Sequence, residues 1–284
     1  MLLEIILSTL RMATPLIFAT MAGLLCERSG VVNIALEGLL LTGAFVAASS
    51  GFYFHSAWAG WVFGGLSGII LSILLAWLTI EKKSDQVVSG MAMNLLVFGT
   101  IPFLSKVIFN STGSTPGISL ENRFTLEPIL MAFAIVALLS LFLRSTHLGL
   151  WITFAGENPE SLKASGVSTN KVRWFSLLAA GLLAGWGGAS LSVFLSSSYS
   201  PQMSGGRGFM ALAALILGRW HPWKSLLACL FFGLTDALQI RLQGNPIFGV
   251  VLPAQWVQML PYLVTILALA GFLGARRPPA ALGK

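Results

Sequence analysis

Gly156-Glu157-Asn158-Pro159-Glu160-Ser161-Leu162-Lys163-Ala164-Ser165-Gly166-Val167 is a polar island set between two long apolar blocks. Asn158 is a residue type that caps the first free N–H groups of a helix. Pro159 suits the first helical position, and Gly166 suits the left-handed position just past the end. These signals define a helix of about two turns, too short to hold in water unless its flanks or a docked partner clamp it. Between membrane-grade blocks, such a segment reads as a rigid cytoplasmic handle for a motor outside the bilayer.

The rest of the chain makes the blocks membrane-grade. Its 284 residues are 56% hydrophobic and 10% charged, with a mean hydropathy of +0.83. That leaves far too little polar surface to cover a soluble globule, so the fold class is an all-α, polytopic membrane protein. The formal charge of +7 does not point to nucleic acid, because the basic residues sit in short turns between apolar runs. This is the topological use of Lys and Arg. Cys26 and Cys229 lie inside apolar stretches without a metal-ligand pattern and read as small core residues. Glu4 stands ahead of the first apolar run and Arg11 interrupts it, so no cleaved signal peptide is expected.

A spanning helix needs about 20 apolar residues. On that ruler helices are expected at 8–26, 33–50, 58–80, 87–109, 128–145, 173–195, 206–218, 225–242 and 256–273. That makes about nine spans, with eight or ten as alternatives, in a single transmembrane domain over 1–284. Lys82 with Lys83, the island with Lys163, Lys171 and Arg173, the turn from Arg219 to Lys224, and Arg276 with Arg277 are the positive-inside anchors. They place the C-terminus in the cytoplasm, the N-terminus outside, and the stretch from Asn110 to Pro128 outside. Trp58, Trp61, Trp151, Trp174, Trp220, Trp223 and Trp256 fall near span ends, as interfacial anchors do. The halves 8–109 and 173–273 flank the segment 146–172. They share one order of long and short spans and enter from opposite sides, as inverted repeats do. In each half the short second element follows a glycine-containing polar turn, Glu27 to Gly30 and Ser204 to Gly208. Discontinuous membrane helices need such turns.

Polar residues at membrane depth are the functional candidates. Asn33 and Glu37 are four apart and share one helix face. Glu37 is either a buried staple, to a neighbouring helix or to Arg28, or a lining of the substrate route, and Asn94 has the same two readings. Arg207, flanked by glycines, is either a headgroup anchor or part of the outer mouth. Gly206 and Phe209 join it, with Asn33, Glu37 and Asn94, as route candidates. Asp236 with Gln239, Arg241 and Gln243 is a structural polar cluster or a proton relay. His55, His147 and His221 lie far apart in sequence and carry no metal or catalytic pattern. No G-x-x-x-x-G-K-[ST] occurs, so any ATP hydrolysis belongs to another subunit.

Four runs carry a resemblance: 27–38 (ERSGVVNIALEG), 85–96 (DQVVSGMAMNLL), Gly156-Glu157-Asn158-Pro159, and 205–214 (GGRGFMALAA). With Met259 to Thr265 and Arg277 to Lys284, they make the chain resemble, in order and over nearly its whole length, permeases of ABC importers for nucleosides. The wider family includes permeases for ribose-type sugars and branched-chain amino acids. The resemblance implies an importer of nucleosides or related ribosyl compounds, flavin-like cargo included, in the bacterial cytoplasmic membrane. Its partners would be an ATPase with two nucleotide sites, which holds the ATP and Mg, and an extracytoplasmic substrate-binding protein. A second, longer related permease would form a heterodimer in preference to a homodimer, in contact with membrane lipid; no cofactor is expected in this chain. Gly156, Glu157, Asn158, Pro159, Glu160, Leu162 and Gly166 then form the segment coupled to the ATPase. Ser161 and Leu162 stand where the family usually has paired alanines. The reading from another class is an ion-coupled secondary transporter that works alone, with Glu37 or Asp236 as the proton site.

Overall fold

A computed structural model describes residues 2–243, 254–272 and 278–283, and among these every regular element is helical. In chain order they are α1 (Leu2–Arg28), α2 (Leu36–Tyr53), α3 (Ala57–Ala76, continued by a π turn to Glu81) and α4 (Gln86–Phe109). Next come α5 (Glu127–Ser145), α6 (His147–Glu157), α7 (Pro159–Ala164) and α8 (Thr169–Ser190, continued by a π turn to Leu195). The last are α9 (Arg207–Leu217), α10 (Pro222–Leu242), α11 (Ala254–Gln258) and α12 (Leu260–Phe272).

Seven of these helices, α1 to α5, α8 and α10, are long and apolar enough to cross a membrane. The spans expected at 206–218 and 256–273 correspond instead to shorter apolar helices. At 1.5 Å per residue α9 is about 16 Å long, half of a ~30 Å hydrocarbon layer. Composition could not separate a half-length helix from a full one, because the polar turn before α9 also lies within the bundle. Residue 273 and the expected anchors Arg276 and Arg277 lie outside the described residues.

The core is built where helices approach backbone to backbone. A Cβ at Gly43 would overlap the backbone of Gly185, and one at Gly68 would overlap Gly181. Small residues let α2, α3 and α8 close on one another without a side-chain layer, the usual membrane solution where lipid is as apolar as leucine. The packing pairs recur across the chain. The α1 helix lies against α8. It packs on α10 as α8 packs on α3, while α2 lies beside α3, α8 and α4 as α9 lies beside α10, α1 and α12. Val88, Leu95, Phe103, Leu130, Leu138 and Leu227 form an exposed apolar periphery.

Contacts sort the rest to two ends. At one end the Arg28 Nε donates to the Trp220 carbonyl at 3.0 Å, and the Arg173 Nε donates to the Ser29 carbonyl at 3.2 Å. The C-terminal stretch returns here: the Ala281 N–H donates to the Gly156 carbonyl at 2.7 Å, and the Gly283 N–H to the Gly30 carbonyl at 3.1 Å. Lys82, Lys83, Arg144, Lys163, Lys171, Arg219 and Lys224 share this end by connectivity. At the opposite end the 110–126 segment lies along 193–199, through Thr115 N–H to the Tyr199 carbonyl at 3.1 Å and Ile118 N–H to the Ser197 carbonyl at 2.8 Å. Two tryptophans depart from the interfacial reading. Trp61 is buried, stacked at 6.0 Å on Trp186 with Phe18 and Phe124 edge-on. Trp220 is buried with its indole N–H donated to Glu27. Both find protein partners that a hydropathy profile does not contain.

Candidate functional site

The chain leaves α1 at Arg28 and turns back into the bundle before α2 begins. Asn33, fully buried, holds that re-entry: its Oδ1 accepts the Ala35 N–H at 3.1 Å and its Nδ2 donates to Cys26 Sγ at 3.4 Å. The N-cap of α2 is Ala35, which has no side chain able to cap. Asn94 of α4 does so from outside, with its Oδ1 accepting the Gly38 N–H at 2.8 Å and its Nδ2 donating to the Ile34 carbonyl at 2.9 Å. A helix start inside the bundle leaves N–H groups that water cannot reach, so a side chain from another helix must take them.

The start of α9 poses the same problem. Its N-cap, Gly206, is in the left-handed region at φ +78° and carries no side chain. Glu37, in the first turn of α2, supplies the acceptor. Its Oε1 accepts the Gly206 N–H at 2.8 Å and the Ser204 hydroxyl, and its Oε2 accepts the Gly208 N–H at 2.7 Å. The two helix starts touch so closely that a Cβ on Gly208 would overlap the backbone of Glu37. Two positive helix ends would repel here, and the carboxylate between them offsets both. The staple reading of Glu37 therefore finds its partner in α9 rather than in Arg28.

Arg207 turns to the other side of α9. Its Nη1 donates to the carbonyls of Met203 at 3.2 Å and Ser204 at 3.4 Å, and its Nη2 lies 3.5 Å from Asp236 Oδ2 on α10. The Arg207 Nε is buried without a hydrogen-bond partner. The pair lines a cavity of about 290 Å3 with Gly205, Met210, Gln239, Gln258 and Tyr262. The Tyr262 hydroxyl donates to the Gly205 carbonyl at 3.1 Å.

Of the six route candidates, Asn33, Glu37 and Asn94 are thus buried and bonded within the protein, and Arg207 lines the cavity. Gly206 is bonded to Glu37 through its N–H, and Phe209 is exposed on the surface of the chain. Asp236 is paired with Arg207, whereas Arg241 pairs with Glu4 at 3.3 Å. The sequence marks Ser204 and Gly208 only as ends of a polar turn, not as partners of Glu37, and it assigns Tyr262 no role. The glycine pattern around Arg207 is the signal for Gly208; Tyr262 falls in the Met259 to Thr265 run, which marks resemblance but no site. Among the described residues no three His, Cys, Asp or Glu side chains cluster as metal ligands.

At the basic end the polar island forms a helix as its caps require. Asn158 Oδ1 accepts the Ser161 N–H at 3.1 Å at the start of α7, and Gly166 is left-handed at φ +82°. Gly156 and Glu157 are the last residues of α6. Leu162 is buried against the bundle, while Glu157, Asn158, Glu160, Ser161 and Lys163 are exposed. The result is a short helix pinned by one leucine and presenting a polar face.

The geometry is that of a helical membrane protein with two helix starts inside the bundle, and comparison with known proteins places it in a family. Over 98% of its length the chain is 32% identical to the guanosine ABC transporter permease protein NupQ of Bacillus subtilis, covering 95% of that protein. It is also 32% identical to the nucleoside ABC transporter permease protein NupC of Lactococcus lactis, again over 98% of this chain and 95% of the relative. In fold it is similar, at a TM-score of 0.55 and 18% identity, to a chain of a metal-chelate type ABC transporter in an inward-facing conformation, over 95% of this chain and 85% of that one. The family described as branched-chain amino acid transport system permease component matches residues 5–269, and the chain belongs to it.

Proposed function

We propose that this chain is the permease subunit of an ATP-binding-cassette importer that carries nucleosides into the cytoplasm across the bacterial cytoplasmic membrane. The near full-length similarity to guanosine and nucleoside permeases carries the reading. The positive-inside rule makes the end bearing Arg28, Lys82, Lys83, Arg144, Lys163, Lys171 and Lys224 the cytoplasmic one. There α7 offers an exposed polar face, held by Leu162 and by its Asn158 cap, to an ATPase with two nucleotide sites. That partner supplies the ATP and Mg chemistry, and this chain is not itself an enzyme. An extracytoplasmic binding protein docks at the opposite end. A second, related permease and membrane lipid cover the apolar faces of α4 and α12.

The two halves are read as inverted repeats that pair α1 with α8, α2 with α9, α3 with α10 and α4 with α12. The recurring packing pairs support this, as does the meeting of the α2 and α9 starts at Glu37. Movement of α7 with the ATPase then rocks the halves between outward-open and inward-open arrangements. In the ion-coupled alternative Glu37 or Asp236 would have to release its partners at each turnover, and each is bound by protein donors.

Reconstitution separates the readings. The expected result is guanosine uptake that requires the ATPase, ATP and the binding protein. Uptake by this chain alone, driven by a proton gradient, would overturn the proposal.

A further inference from the structure

The polar cavity beside α9 is not used by the helix starts, whose N–H groups are taken by Glu37 and Asn94. Ionisable groups at membrane depth face the protein interior and mark pathways more often than packing. Here the charges cancel, because Arg207 lies against Asp236 at 3.5 Å. An anionic ligand would meet the Asp236 carboxylate and a cationic one the guanidinium, so the site favours a neutral molecule. What remains for a ligand is hydrogen bonding and one aromatic face. Gln239 and Gln258 each present an amide with a donor and an acceptor side. Tyr262, its hydroxyl already engaged with Gly205, is half exposed and leaves its ring free to stack. The volume of about 290 Å3 lies at the small end of ligand sites, which run from ~300 to 1,000 Å3.

We propose that the cavity lined by Arg207, Asp236, Gln239, Gln258 and Tyr262 is a binding site for a neutral heterocyclic base and its ribose on the way through the membrane. This rests on the nucleoside reading above. The base edge pairs with the glutamine amides, and the ring stacks on Tyr262. The same arrangement rejects the phosphorylated form, whose charge would face Asp236 in a site with no free cation among the described residues.

Cys26 and Cys229 are fully buried, so a single cysteine at the cavity can be followed without removing them. In the reconstituted complex, Ile240→Cys, at a lining position that makes none of the assigned ligand contacts, should react with a methanethiosulfonate reagent. Guanosine at ~10 Kd should slow the reaction about tenfold by occupancy, whereas guanosine monophosphate should not. Met210→Cys, also on the lining, provides the same measurement if the first variant does not assemble. Unprotected labelling in both variants, while the wild-type complex takes up guanosine with ATP, would overturn the site and leave the permease reading standing. Equal protection by the monophosphate would overturn the neutral-ligand assignment. A wild-type complex that takes up no nucleoside with ATP and binding protein would instead overturn the function on which the site rests.

Discussion

Glu37 Oε2 accepts the Gly208 N–H at 2.7 Å across 171 positions of sequence. The acidic residue in the first turn of α2 therefore caps the start of α9. Removing the charge should weaken the join between the two halves rather than a single local contact. Glu37→Gln keeps the shape but turns an amide NH2 toward donors, and an unmet buried donor costs about 1–3 kcal/mol. The expected outcome is a lower melting temperature of the purified assembly, with transport falling alongside it. Gly208→Ala should behave similarly, since its Cβ has no space against the Glu37 backbone. Normal melting with transport abolished would move Glu37 from the framework to the route.

Asn158 caps α7 through the Ser161 N–H, and such a cap is typically worth ~1 kcal/mol. Replacing Asn158 by Ala together with Gly166 by Val removes both the cap and the left-handed stop. Uptake and binding-protein-stimulated ATP hydrolysis should drop several-fold while the chain still reaches the membrane. Full stimulation, with the ATPase bound normally, would contradict the coupling role of 146–172.

The C-terminal stretch ties α6 to the α1–α2 turn through Ala281 N–H to Gly156 and Gly283 N–H to Gly30. Ala281→Pro deletes the first donor and should destabilise this end by about 0.5–1.5 kcal/mol, the ordinary net value of one hydrogen bond. Limited proteolysis should then cut faster within the 158–168 segment. An unchanged cleavage rate would mean the tie contributes nothing to holding the island.

Single cysteines in place of the exposed Ser114 and Lys163 should label from opposite sides of the membrane. Ser114→Cys should react with an impermeant thiol reagent applied to intact cells. Lys163→Cys should react only after the cells are opened, and the reverse pattern would invert the orientation.

His221 lies 3.4 Å from an Arg144 nitrogen at the basic end. Burial, with the charges of Arg144, Lys224 and Arg28, lowers its pKa from the ordinary value of 6.5. Between the lowered folded value and 6.5 the unfolded chain binds more protons, so stability rises with pH in that window. The melting temperature should therefore fall as pH drops below about 6.5, the free imidazole value. His221→Gln should flatten that dependence, and an equally steep one in the variant would assign the effect to another group.

The legible parts of the fold were those set by composition and local chemistry. The helices around each expected span, the Asn158 cap and the Gly166 stop follow from residue types and their neighbours in the chain. The site was less legible. Glu37, Asn33 and Asn94 stood out because polar groups at membrane depth are costly, but that cost is the same whether a residue caps a helix or lines a route. Trp61 and Trp220 read as interfacial for a similar reason, since an indole near a span end suits both headgroups and a buried carboxylate.

By itself the sequence determined that the chain is a helical membrane protein, roughly where its long apolar helices lie, how the short helix after Asn158 is capped and stopped, and which end carries the basic turns. Those properties depend on hydropathy and capping within a few residues, which proximity in the chain preserves. Only the tertiary structure decided that α9 is a half-length helix whose start meets that of α2 at Glu37, and that Asn94 caps α2 from α4. It also decided that Arg207, Asp236 and Tyr262 converge on one cavity. Such pairings are made by residues far apart in the chain, whose N–H groups and charges find partners only when the bilayer denies them water and packing brings the helices together.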